Sequence, residues 1–78
     1  MPRLPRVSGK DTIRALQGAG FKVFDQTGSH VYLHRFNGAQ FGPRVTVPVH
    51  EQKTLALKTL KKILDAAGLS VQDFSSLL

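Results

Sequence analysis

The chain has 78 residues, no cysteine, and 11 Lys plus Arg against 5 Asp plus Glu, for a formal net charge of +6. A length of this order supports one thin-cored domain that buries about 60–65% of its unfolded surface, which argues against a deep substrate cavity within a single copy. The missing cysteines exclude disulfides, thiolate nucleophiles and cysteine zinc sites, and the positive excess draws polyanions, nucleic acid first and an acidic protein next. Residues 1–7, with Pro2, Arg3, Pro5 and Arg6, read as an extended arm. No apolar h-region follows these charges, and no run of about 18 apolar residues occurs, so the expectation is a cytoplasmic protein with no signal peptide and no membrane contact.

Ser8 reads as a helix N-cap, with Asp11 at the capping-box position. Ile13, Leu16 and Gly20 then follow helical spacing, and Gly20 stops the helix with Phe21 as its hydrophobic partner, which predicts a helix over 9–19. Residues 21–25 form a short strand, Thr27-Gly28-Ser29 a turn, and 30–35 a second strand. In that second strand Val31 and Leu33 alternate with His30, Tyr32 and His34. Residues 37–43, rich in breakers, read as a loop. A third strand follows over 44–50, with Val45, Val47 and Val49 alternating and Pro48 suited to an edge or a strand end. From Thr54 a second helix carries the stripe Leu57, Leu60, Ile63, Leu64 and Ala67, with Lys53, Lys58, Lys61 and Lys62 on the other side. Gly68 ends it, and Ser70 with Asp73 caps a short last helix over 70–78 that carries Phe74, Leu77 and Leu78.

The expected fold is therefore α+β, in the order αβββα of a double-stranded-RNA-binding domain. One domain spans 1–78, with a three-stranded antiparallel sheet and two helices on one face. Val31, Leu33, Val45, Val47 and Val49 are expected under the helices, and His30, Tyr32, His34, Arg44, Thr46 and His50 on the other face. Such a fold by itself gives no function.

The sequence carries no glycine-rich phosphate loop and no nucleophile elbow, and its few acids do not cluster as a two-metal nuclease requires. His30 and His34, four residues apart in a strand, stand about 13 Å from each other, too far to share a zinc ion. No metal and no cofactor are expected. General acid–base chemistry by a histidine remains, because RNA supplies its own nucleophile, the 2′-hydroxyl, and needs only proton movement and charge stabilisation at phosphate. His30 is singled out among the 3 histidines because it directly follows Gly28-Ser29, where small residues leave room for a backbone and amide groups can face a phosphate. An exposed strand residue after an ordinary hairpin turn is the alternative. Lys22, Arg35, Arg44, Lys53, Lys58, Lys61 and Lys62 are the candidate phosphate contacts.

Gly28-Ser29-His30 after a helix ending in Ala-Gly-Phe, Val45-Thr46-Val47-Pro48 followed by His50, and Thr59-Leu60-Lys61-Lys62-Ile63-Leu64 leading to Ala67-Gly68-Leu69-Ser70 together resemble the HicA toxin family. The resemblance runs from Ser8 to Leu78. It implies the double-stranded-RNA-binding-domain-like fold, an mRNA-cleaving toxin, a HicB-like antitoxin that holds it inactive, and catalysis by the histidine after Gly-Ser, here His30. Relatives often carry glycine where this chain has Lys58, and the segment 37–43 varies in length, which bears on the RNA contact surface and the helix start. Two further readings stand beside the ribonuclease: an RNA-binding module without catalysis, for which a histidine at position 30 has no purpose, and a domain that docks an acidic protein.

Overall fold

The computed structural model describes residues 3–37, 40–50 and 53–78. Its elements in chain order are α1 (Gly9–Gly18), β1 (Phe21–Thr27), β2 (His30–Asn37), β3 (Gln40–Pro48), α2 (Leu57–Ala67) and α3 (Val71–Ser76). The sheet has the order β1-β2-β3, and both pairings are antiparallel. This is the αβββα order expected from the sequence, with α3 appended.

Side chains cap the starts of α1 and α3, whereas α2 begins after Ala56 with no side-chain cap. The Ser8 hydroxyl accepts from the Asp11 amide at 3.1 Å, and the Ser70 hydroxyl accepts from the Asp73 amide at 3.0 Å. Both satisfy an amide that the first helical turn leaves without a partner. At the end of α2, Gly68 is left-handed and the Leu69 amide donates to the Leu64 carbonyl at 3.0 Å, which closes the helix.

The core lies on one face of the sheet. Val31, Leu33, Val45 and Val47 pack there with Ala15 and Leu16 of α1, Leu60, Ile63, Leu64 and Ala67 of α2, and Phe74 of α3. Phe21, at the start of β1, joins them. Both long helices therefore cover the same side, and among the described residues the opposite side is open.

Four expectations are corrected. Of residues 37–43, read as loop, Asn37 belongs to β2 and 40–43 to β3, while 38 and 39 lie outside the described residues, so β3 begins four residues before the expected 44. Gly and Pro are tolerated there because β3 is an edge strand, where no amide is owed to a further strand. At Gly42 the partner strand comes so close that a Cβ would lie 2.9 Å from the Arg35 carbonyl oxygen. Second, β3 stops at Pro48, so His50 lies beyond the strand and Val49 is only partly buried. Third, α2 starts at Leu57 and not near Thr54. Fourth, Leu57 leaves the apolar stripe, 37% exposed, and Leu55 ahead of the helix is buried in the core.

Candidate functional site

His30 is positioned by a two-residue hairpin turn. β1 ends at Thr27, Gly28 and Ser29 turn, and His30 opens β2. Gly28 has φ +58, a left-handed conformation in which a β-carbon is strained, so the turn favours glycine there. The Gln26 side-chain amide donates to the Gly28 carbonyl at 3.2 Å, and the Asp25 carboxylate accepts from the Gln26 amide at 2.8 Å. His30 pairs with Thr27 on one side and Pro48 on the other, at the end of the sheet. It is exposed.

The same end is pinned from the third strand. The Val49 amide donates to the Ser29 carbonyl at 2.6 Å. His30 follows Ser29 and His50 follows Val49, so the two histidines flank one backbone hydrogen bond. Below it, the Leu55 amide donates to the Val7 carbonyl at 2.7 Å, and Ser8 bridges Thr54. The start of α1 presses on the end of β3, where a side chain at Gly9 would run into the Pro48 carbonyl oxygen. Helix α1, the arm and the segment before α2 thus brace the strand end that carries the site.

An open depression beside the turn is lined by Gln26, Gly28, Ser29, Val49, His50 and Lys53. His50 and Lys53 also line an adjoining recess with Pro48, Thr54 and Leu55. The depression therefore gathers Gly28, Ser29 and Lys53 of the sequence-derived candidates and adds His50. His30 is not among its lining residues.

The other candidates are spread out. Lys22 and Arg44 both pair with His34, one from each neighbouring strand, four residues along β2 from His30. That is about 13 Å from the turn. Arg35 sits farther along, at the register shift between His34 and Phe36. Lys58, Lys61 and Lys62 are exposed on α2, and Lys61 borders a different recess with Leu4, Leu64 and Leu69.

Two groups lie outside the sequence-derived candidates. Arg6, Lys10 and Arg14 line a polar recess with Ser8, Asp11 and Thr54. Lys10 and Arg14 are four apart, one helical turn, and that spacing is the sequence signal for a shared face. The second is Phe24. It is the extra residue of a β-bulge between Val23 and Asp25 and is 46% exposed. Its ring stacks on His34 with centroids 3.8 Å apart and planes at 28°. Alternation counted outward from the buried Phe21 puts Phe24 on the side of Lys22, and that count is the signal that finds it.

A family model described as "HicA toxin of bacterial toxin-antitoxin" matches residues 9–69, from the first residue of α1 to the residue after the α2 cap. No curated protein matches the chain closely enough to count as a relative.

Proposed function

The chain belongs to the HicA toxin family of toxin–antitoxin systems, and from that premise we propose that it is a metal-independent endoribonuclease that cleaves mRNA with His30 as acid–base residue and is held inactive by a HicB-like antitoxin. The observation that carries the reading is an exposed histidine placed directly after the Gly28-Ser29 turn in a chain of this family.

In the proposed step the substrate's 2′-hydroxyl oxygen attacks the adjacent phosphorus. The bond from that oxygen to phosphorus forms, the bond from phosphorus to the 5′-oxygen breaks, and one proton leaves the nucleophile while another reaches the leaving oxygen. His30 handles one of these transfers. His50, on the other side of the Ser29–Val49 hydrogen bond, is the residue we assign to the other. Lys53 in the same depression offers charge for the phosphate. The exposed basic residues and the net charge of +6 support a polyanionic substrate.

One observation favours the alternative of an RNA-binding module without catalysis: the depression is lined by His50 and not by His30. Induced expression in bacteria separates the two. The catalytic reading expects the wild-type chain to arrest growth and His30→Ala to permit it at equal protein level. Equal arrest by both would favour the binding module.

A further inference from the structure

The open face of the sheet carries a patch that the proposed cleavage step does not use. Phe24 stacks on His34, and its ring centroid lies 6.2 Å from that of Tyr32, with the planes tilted by 47°. The Arg44 guanidinium carbon lies 5.8 Å from the Phe24 centroid, within cation–π range. Register fixes the surroundings. Lys22, His34 and Arg44 form one row across the three strands, Asp25, Tyr32 and Thr46 the next, and Thr27, His30 and Pro48 the one after. His34 therefore sits between two cations and Tyr32 between Asp25 and Thr46, and the middle strand leads straight from them to His30.

Phe24 keeps 46% of its surface in water, and of β1 only Phe21 is buried. The bulge between Val23 and Asp25 makes Phe24 an insertion on the open side and seats its ring against those of the middle strand. Stacked rings with flanking cations are what an unpaired nucleic-acid strand requires. Every base has a π-face to lay on a ring, and each phosphate seeks a cation. A paired base has both faces occupied within its duplex, and a duplex would be met by shape and phosphate contacts alone. The net charge and the two cations in the ring row match a polyanion and oppose a basic partner.

We propose that the open sheet face is a binding track for single-stranded RNA: Phe24, Tyr32 and His34 stack on unpaired bases, Lys22 and Arg44 hold the phosphates beside them, and the strand runs along β2 to His30. This rests on the ribonuclease reading and extends it by assigning an unpaired substrate. From His34 to His30 is about 13 Å along the strand. A stacked strand advances about 3.4 Å per nucleotide, so the track places its bound bases a few nucleotides from the cleaved phosphate.

The test uses a short fluorescent 2′-O-methyl RNA, whose 2′-oxygen is blocked and which binds without being cut. Its affinity for the full chain is measured as a single strand and as a duplex with its complement. Phe24→Leu removes the ring and keeps an apolar side chain at an exposed position, and thermal melting confirms that it folds. The track predicts that the single strand binds more tightly than the duplex, and that Phe24→Leu weakens the single strand about 10- to 100-fold, the range of one lost base–aromatic stack, with the salt slope unchanged. Arg44→Gln should instead lower the salt slope by about 0.7, one phosphate contact. The proposal is overturned if Phe24→Leu lowers the melting temperature and leaves single-strand affinity intact, because the rings then serve the sheet only. It is overturned equally if Phe24→Leu spares RNA binding and abolishes capture of a co-expressed antitoxin, which makes the face a protein interface. In both cases unlabelled, unblocked RNA is still cut by wild type and spared by His30→Ala, so the ribonuclease reading stands. If the wild-type chain neither binds nor cuts RNA, that reading falls and takes the track with it.

Discussion

The two faces of the sheet are made by the same three strands and have opposite chemistry. On the covered face Val31, Leu33, Val45 and Val47 lie under α1 and α2 and are all buried. On the open face His30, Tyr32, His34, Arg44 and Thr46 alternate with them, and none of these is buried. Period-two alternation makes this division automatic. Its consequence is that stability and function are assigned to different residues of one strand. Leu33 and His34 are neighbours in the chain, yet one is held by the core and the other faces a ring of β1.

That separation can be broken from the core side with the largest effect. Leu33 has 0% exposure. Leu33→Ala removes buried methyl groups and leaves a void, at a cost of about 2–5 kcal/mol. For a domain of this size that is a large share of a total of roughly 0.05–0.15 kcal/mol per residue. Thermal or urea unfolding should show the loss, and any activity should disappear with the fold. A smaller effect sharpens the other side. Lys53 is exposed and lines the depression at the turn. Lys53→Gln should leave unfolding within about 0.5 kcal/mol of wild type. The slope of log affinity for single-stranded RNA against log salt should shrink by about 0.7. An unchanged slope would remove Lys53 from the RNA contacts.

Much of this arrangement is legible in the sequence, for reasons particular residues make plain. Ser8 and Ser70, each three residues before an Asp, announce helix starts because a hydroxyl there has an orphan amide to satisfy. The alternation over 30–35 and 44–47 gives both faces of β2 and β3. The misread positions are those where tertiary context outweighs local signal. Gly42 and Pro43 look like loop, and an edge strand accepts them. Leu57 fits the helical stripe by spacing, but the chain buries Leu55 before the helix begins. At the site, the Gly28-Ser29-His30 placement follows from the turn. The recruitment of His50 to the depression does not, because it depends on the Ser29–Val49 hydrogen bond and on where β3 stops. Alternation from Phe21 gives the side on which Phe24 lies, but not the bulge that makes it an extra residue in β1.

The central claim is that His30 does chemistry and bears no structural weight. Its position at an exposed sheet end, opposite Thr27 and Pro48, means that truncation opens no core void. Purified His30→Ala, compared with wild type by circular dichroism melting and then by RNA cleavage in excess chelator, tests this most directly. The account predicts stability within about 1 kcal/mol of wild type, RNA binding retained, and a cleavage rate lower by about 10²–10⁴-fold, the contribution of positioned proton transfer. A folded His30→Ala that cuts RNA as fast as wild type, or a wild-type activity that vanishes in chelator and returns with added metal, would contradict it.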